Sequence, residues 1–331
     1  MSKLKIRNFK IDTKIKKQSC NLWLIGPGYM GIEYAKILSF HKEDYKVIGR
    51  SNKSKINFYN KTGKSVEDNN LDYCLQHFST PKKAIISVDT ENTFQLAFKL
   101  IEYGVESILI EKPGSLYKED LISLKKISSI KKAKVYIAYN RRFYESIIEA
   151  RKIITKDKGI VSAFFDFTEL SQKISKTKHS KEVKEKWLIS NSSHIIDLVF
   201  YLCGSPKKLF SLSKGKLGWH NSSSCFVGSG ITTKDILFSY AANWDSAGRW
   251  YIELMTKNHK LIFCPIEKLK VMKKNSFDII EINTTKKDKI FKPGLYFLVK
   301  EFLDKKQSNL CSLDEQINNF EFFSKIANYK N

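Results

Sequence analysis

Gly26, Gly28 and Gly31 follow an apolar run, Leu22-Trp-Leu-Ile25, and a helical pattern opens at Tyr29. This is G-x-G-x-x-G between a strand and a helix. Gly26 permits a tight turn, Gly28 lets a pyrophosphate approach the backbone, and Gly31 lets the helix pack closely. The unpaired N–H groups and positive dipole end of the helix then face the phosphates. Pro27, Tyr29 and Met30 fill the same turn, so all six residues are assigned to a dinucleotide. At the next strand end stand Arg50 and Ser51, where an NAD site usually offers a carboxylate to the ribose. Donors at that point suit a 2′-phosphate, so NADP is favoured over NAD. Val88 ends a further strand-like run, and Glu111-Lys112-Pro113 ends another. Strand ends are where ligands sit in open α/β sheets, so Val88, Glu111 and Lys112 are placed beside the cofactor. Two further polar groups stand at starts of helices: Asn140-Arg141-Arg142-Phe143, and Ser190-Asn-Ser-Ser-His194-Ile-Ile-Asp197.

These groups need elements to carry them. Strand-like runs at 22–25, 45–48, 84–88, 107–110 and 134–138 alternate with helical patterns at 29–40, 53–61, 92–103 and 118–130. That alternation implies a parallel sheet covered on both faces, a doubly wound Rossmann-type domain. After a helix near 143–155, eight strand patterns between 161 and 282 dominate, interrupted by a helix at 194–202 and closed by two helices. This reads as an α+β domain with a large, mostly antiparallel, open sheet. The expected division is a basic arm at 1–18, a dinucleotide-binding domain at 19–140 and a substrate and oligomerisation domain at 141–331.

A length of 331 residues suits two such domains. No apolar run approaches the ~18 residues of a membrane span, and the basic first 17 residues lack the apolar core of a secretory signal. Six scattered cysteines without a C-x-x-C pair argue for a reducing, cytoplasmic setting and against a metal site. The net charge of +24 raises nucleic acid as a partner, but only six of the 58 basic residues are Arg and the Lys is spread along the chain. A nucleic-acid footprint is clustered and rich in Arg, so no specific nucleic acid and no membrane is expected as a partner. Lys-rich stretches at 3–17 and 173–186 read as a solvated tail and loop.

Taken in order, G-x-G-x-M-G at 26–31, E-K-P at 111–113, N-R-R-F at 140–143, H-x-x-D at 194–197 and Gly204-Ser-Pro206 resemble the Gfo/Idh/MocA family of nicotinamide-dependent oxidoreductases. The resemblance spans most of the chain. It implies hydride transfer between NAD(P) and a carbinol of a sugar, polyol or nucleotide sugar, with Lys112 and His194 handling the proton and Arg141 on the cofactor. Removal of a carbinol hydride needs a base for the O–H proton, and a nearby ammonium stabilises the developing alkoxide. Asn140, Ser190 and Asn191 would meet the substrate with them. The chain departs from the family where Ser190 replaces an Asp, Thr93 a frequent His and Asp89 a Pro. A hydroxyl stabilises an imidazolium less than a carboxylate does. Ser190 therefore also supports a second reading, a catalytically weak cofactor-binding regulatory protein of the same fold. Residues 242–250 join two strands and mix Trp244, Asp245 and Arg249, a set suited to sugars, with a plain hairpin as the alternative. Trp244 is expected against the sugar, and Arg249 as an anchor for an acidic or phosphorylated one. The open sheet is expected to make a homodimer or homotetramer.

Overall fold

The computed structural model describes residues 20–329 except 285, 305 and 306. The expected basic arm at 1–18 lies outside the described residues. The first half alternates strands and helices, with two helices in succession between β2 and β3: β1 (Leu22–Ile25), α1 (Tyr29–Phe40), β2 (Lys46–Ile48), α2 (Asn52–Thr62), α3 (Leu71–His77), β3 (Lys83–Ile86), α4 (Thr90–Glu102), β4 (Ser107–Glu111), α5 (Lys118–Lys131) and β5 (Lys134–Ala138). Every residue of β1 is buried, as a parallel strand covered on both faces requires. Helix α4 hides Thr93, Ala97, Leu100 and Ile101, one stripe at helical spacing. Ser51 caps α2 by accepting from Ser54 N, and Gly63 closes it at φ 69° in the left-handed region. The sequence pattern had not revealed α3, a short turn of helix capped by Asn70.

Strands β2-β1-β3-β4-β5 are parallel and in that order, with the order of strand addition reversing between β1 and β3. That switch point opens a crevice at the carboxyl ends of the strands.

A 3₁₀ turn, Asn140–Phe143, leads into α6 (Glu145–Lys156) and β6 (Ile160–Asp166). Short helices α7 (Ser171–Ser175) and α8 (Lys181–Glu185) and a π turn, Leu188–Ser192, precede α9 (Ser193–Cys203). Seven strands follow: β7 (Pro206–Lys214), β8 (Cys225–Thr232), β9 (Leu237–Asn243), β10 (Tyr251–Thr256), β11 (His259–Phe263), β12 (Leu269–Lys273) and β13 (Ile279–Ile282). With β6 they form one eight-stranded sheet in the order β13-β12-β11-β10-β6-β9-β8-β7, antiparallel except for the β6–β9 pair. Strand β6 therefore lies between β9 and β10. Residues 242–250 are a connection across the end of β6, and the hairpin alternative falls.

Helix α9 packs on the inner face of this sheet, with Phe200 edge-on to Phe165 and Phe238. Ile195, Ile196, Leu198 and Val199 are each fully buried, worth about 1.5–3 kcal/mol apiece by area. The outer face stays open and carries Phe210 and Leu212 at 70% and 74% exposure, with Val227, Leu237 and Ile279.

The chain then returns to the first sheet through α10 (Lys287–Ile290), α11 (Leu295–Leu303), β14 (Cys311–Ser312) and α12 (Leu313–Ala327). Strand β14 adds antiparallel to β5, and Leu295, Leu298, Val299 and Phe302 join Leu22, Leu24, Ile85 and Leu109 in one core. Lys83 closes α11 by donating to the carbonyls of Phe302 and Leu303. No helix among the described residues is long and apolar enough to cross a membrane.

Candidate active site

The glycine turn sits at the switch point. Gly26 adopts φ +101°, and a Cβ there would lie 2.6 Å from Ser87 O and 2.8 Å from Val88 Cγ1. At Gly31 a Cβ would lie 2.0 Å from Gly26 O. Side chains are excluded at both positions by the fold itself. Gly28 differs: a Cβ there would meet nothing within 4 Å, and its φ of −80° suits any residue. Packing does not demand glycine at 28, whereas a ligand approaching the backbone does. Ser87 Oγ donates to Gly26 O at 2.9 Å and ties the turn to β3. Tyr29 is 69% exposed at the start of α1, beside the half-buried Met30, and the Nζ of Lys292 stands 5.1 Å from the Tyr29 ring.

Pro27 packs where a Gly49 Cβ would be, 2.4 Å from its Cγ, so the end of β2 abuts the turn. Arg50 and Ser51 follow immediately, both exposed. The dinucleotide assignments thus come together along one crevice edge, from Gly26 to Gly31, with Arg50, Ser51 and Val88.

At the end of β4, Glu111 accepts a 2.6 Å hydrogen bond from Tyr34 of α1. The Lys112–Pro113 peptide is cis. Lys112 Nζ donates to the carbonyl of Ser190. Burial pulls the Lys112 ammonium down to about 8; Glu111 opposes this, while Arg141 and Lys292 add to it. At neutral pH it remains mostly charged.

His194, 6% exposed near the start of α9, lies edge-on to Tyr139 with ring centroids 5.8 Å apart. Burial first, then the charges of Arg141, Lys112 and Lys292, hold its pKa well below the usual histidine range. It is therefore neutral at pH 7. Its Nδ1 is buried without a hydrogen-bond partner among the described residues.

The polar run before His194 behaves differently from the expectation of a capped helix start. Helix α9 continues out of the π turn, with no side-chain cap. Ser190 Oγ bonds to the carbonyls of Val183 and Trp187, Ser192 Oγ donates to Glu169 Oε1 at 2.6 Å, and Ser193 Oγ donates to Ile189 O. Ser190 offers its backbone carbonyl to Lys112 and leaves the imidazole untouched. Asn191 Nδ2 donates to Glu169 Oε1 at 2.9 Å. Asn140 is 7% exposed, and its amide donates to Pro293 O, bracing the segment that carries Lys292.

Trp244 is a correction. It is fully buried, its indole N–H donates to Phe167 O, and its ring stacks 5.7 Å from Trp219 beside His220 and Phe226. No face of it is left for a sugar. Arg249 lies exposed on the same connection. The next residue, Trp250, turns to the site: Arg141 Cζ is 4.7 Å from its ring, and His194 is 6.5 Å away, centroid to centroid.

Trp250, Glu169 and Lys292 are therefore site residues that the sequence reading did not assign. Glu169 is 8% exposed, and burial raises its pKa against the hydrogen bonds it accepts. It stands three residues past the end of β6, the one local signal available. Lys292 carried no signal in so Lys-rich a chain.

Beneath the site, Arg142 and Asp197 form a buried pair, 2% and 1% exposed, joined from Nε to Oδ2 at 2.8 Å and from Nη2 to Oδ1 at 2.5 Å. The same guanidinium reaches Glu315 at 2.7 Å, and that carboxylate is 36% exposed. Asp197 and Glu315 with Cys311 are close enough to hold a cation, but the guanidinium already bonds both carboxylates. Burial pushes Asp197 up to about 6 against the pull of Arg142, leaving it ionised at neutral pH.

No family model and no curated protein matches the chain by sequence. Solved structures do match. A UDP-N-acetylglucosamine 3-dehydrogenase, GnnA, from Acidithiobacillus ferrooxidans superposes with a TM-score of 0.72 at 13% identity, over 92% of this chain and 96% of that one. An oxidoreductase from Agrobacterium radiobacter, solved with NAD+, L-tartaric acid and magnesium, gives 0.76 at 11% identity, over 93% and 96%. A dehydrogenase, MviM, from Clostridium difficile gives 0.72 at 15% identity, over 95% and 100%. At such identities the likeness is one of architecture: the chain has the two-domain fold of the Gfo/Idh/MocA-type oxidoreductases.

Proposed function

We propose that the protein is a nicotinamide-dependent oxidoreductase acting on a carbinol of a sugar, polyol or nucleotide sugar, with NADP(H) favoured over NAD(H). The observation that carries this reading is convergence. Lys112 from the parallel sheet bonds the Ser190 carbonyl, and its charge reaches His194 of α9; at the same strand end Glu111 bonds Tyr34 of α1, the helix that opens from a glycine turn whose middle glycine faces open space. The structural neighbours named as dehydrogenases share the whole architecture.

The residues fit a dinucleotide. Gly26 to Gly31 with the start of α1 would hold its pyrophosphate, Lys292 would add a charge there, and Arg50 and Ser51 would meet the adenosine ribose. When bound, the dinucleotide supplies the hydride donor or acceptor. In the oxidative direction the neutral imidazole of His194 accepts the carbinol proton. The Lys112 ammonium, steered by the Ser190 carbonyl, donates to the oxygen as charge develops. In the reductive direction the same proton returns. Glu169 holds Asn191 and Ser192, and through them the π turn that presents this carbonyl.

A second reading, a cofactor-binding regulator of low turnover, draws on one observation. Ser190 turns its hydroxyl to backbone carbonyls, so no side chain among the described residues hydrogen-bonds His194 Nδ1. Thermal shift with NADPH and NADH, then turnover over a panel of sugars, sugar acids and nucleotide sugars, separates the two. Binding without turnover favours the regulator, and a response to neither dinucleotide refutes both. The open apolar face of the eight-stranded sheet supports a homodimer or homotetramer; a monomer mass by light scattering refutes this.

A further inference from the structure

Adjacent arginines at the end of β5 have opposite fates. Arg142 is bound by Asp197 and Glu315. The Arg141 side chain, half-buried, has no ion pair or hydrogen bond with any described residue, and its guanidinium lies 4.7 Å over Trp250. A flat guanidinium against an indole keeps its N–H edges available, because stacking engages only the π face. The carboxylates that could neutralise it are engaged elsewhere: Glu169 accepts from Asn191 and Ser192, and Glu111 from Tyr34. Trp250 belongs to the second sheet and borders His194. The fork therefore stands against the second sheet, beside the same ring that borders His194.

We infer that Arg141 is a recognition fork for a carboxylate on the substrate, so that the protein takes a sugar acid in preference to the neutral sugar. This rests on the oxidoreductase reading, and it moves Arg141 from the cofactor to the substrate. Two parallel N–H donors match the two oxygens of a carboxylate, which a lysine ammonium cannot do. Only six of the 58 basic residues in this chain are Arg, and this one makes no protein contact that would require its shape apart from the stacking. The incoming carboxylate also offsets the local excess of cations from Lys112, Arg141 and Lys292 around His194.

The test uses the full chain saturated with NADPH. It is titrated by calorimetry with a hexuronate, the matching neutral hexose and the matching hexose 6-phosphate. The acid is expected to bind roughly 10- to 100-fold tighter than the neutral sugar, the worth of a charge-assisted fork. Arg141→Gln should abolish that ratio while leaving NADPH affinity unchanged, and Arg141→Lys should restore only part of it. Equal affinity for acid and neutral sugar in the parent overturns the assignment, and so does a preference for the phosphate. Loss of NADPH affinity in Arg141→Gln with the acid preference intact returns the residue to the cofactor. The parent ratio stands whether or not the variants fold. Failure to bind either dinucleotide overturns the oxidoreductase reading and this assignment together, whereas dinucleotide binding without acid preference overturns this assignment alone.

Discussion

Replacing Gly28 by Thr separates what the glycine turn does for folding from what it does for a ligand. Gly28 is the N-cap of α1, with φ −80° and ψ −166°, a conformation and a position that threonine accepts readily. Its Cβ would meet no atom within 4 Å. Stability should therefore change by less than about 0.5 kcal/mol, a shift of roughly 2 °C or less in Tm. The new side chain fills the space through which a pyrophosphate reaches the backbone. One or two charge-assisted hydrogen bonds would go, at about 1.5–3 kcal/mol each, so NADPH affinity should fall at least ~10-fold, and ~100-fold or more if two are lost. Gly31→Ala gives the contrast. Its Cβ would lie 2.0 Å from Gly26 O, and relief requires the β1–α1 turn to move, costing about 1–3 kcal/mol. The assay is calorimetric titration with NADPH beside thermal unfolding, on both variants and the parent. If Gly28→Thr binds NADPH within about threefold of the parent, below the ~10-fold that even one lost bond predicts, the turn is not a phosphate cradle. If it melts as low as Gly31→Ala, the space is not open.

Asp197→Asn should cost about 3 kcal/mol in urea unfolding, because it leaves the buried Arg142 with only Glu315. Glu315→Gln, at a partly exposed carboxylate, should cost less than about 1 kcal/mol; equal costs would show that burial is not the deciding factor. Oxidative kcat/KM should be flat from pH 6 to 7 and fall as pH rises through about 8, where Lys112 loses the proton that stabilises the alkoxide. His194 stays neutral across this range because its folded pKa is lowered, so no acid limb is expected near 6.5; a rise through pH 8 would make Lys112 the base instead. Lys292→Met should weaken NADPH binding about fivefold and flatten its salt dependence; unchanged binding at about 50 mM and about 300 mM salt would remove Lys292 from the cradle.

What the chain disclosed before folding follows a physical divide. The glycine turn and the strand-end positions of Glu111 and Lys112 were legible because local backbone geometry dictates them. The alternation of strands and helices gave the parallel sheet for the same reason. Trp244 and Trp250, six residues apart on one connection, were not separable by pattern. Only the packed structure shows that Trp244 finds Phe167 O for its indole N–H while Trp250 faces Arg141. Glu169 and Lys292 reach the site from remote segments, and no spacing rule links them to Lys112. The hairpin alternative for residues 242–250 stood open in the sequence because strand order is a tertiary property: β6, far earlier in the chain, lies between their two strands.

The return of the chain through α11, β14 and α12 also sets an order of events during synthesis. The five parallel strands have all been synthesised once Ala138 is added, yet Leu24, Ile85 and Leu109 share their core with Leu298, Val299 and Phe302. At about 5–20 residues per second, the nascent sheet waits roughly 10–30 s for α11 with part of one face uncovered. A fragment cut at Asn140 would keep the glycine turn but carry that bare face permanently. The half that reads as a self-sufficient nucleotide module is therefore one that ribosome and protease meet unfinished, and its completion depends on a helix made more than a hundred residues later, about 150 by the numbering of α11.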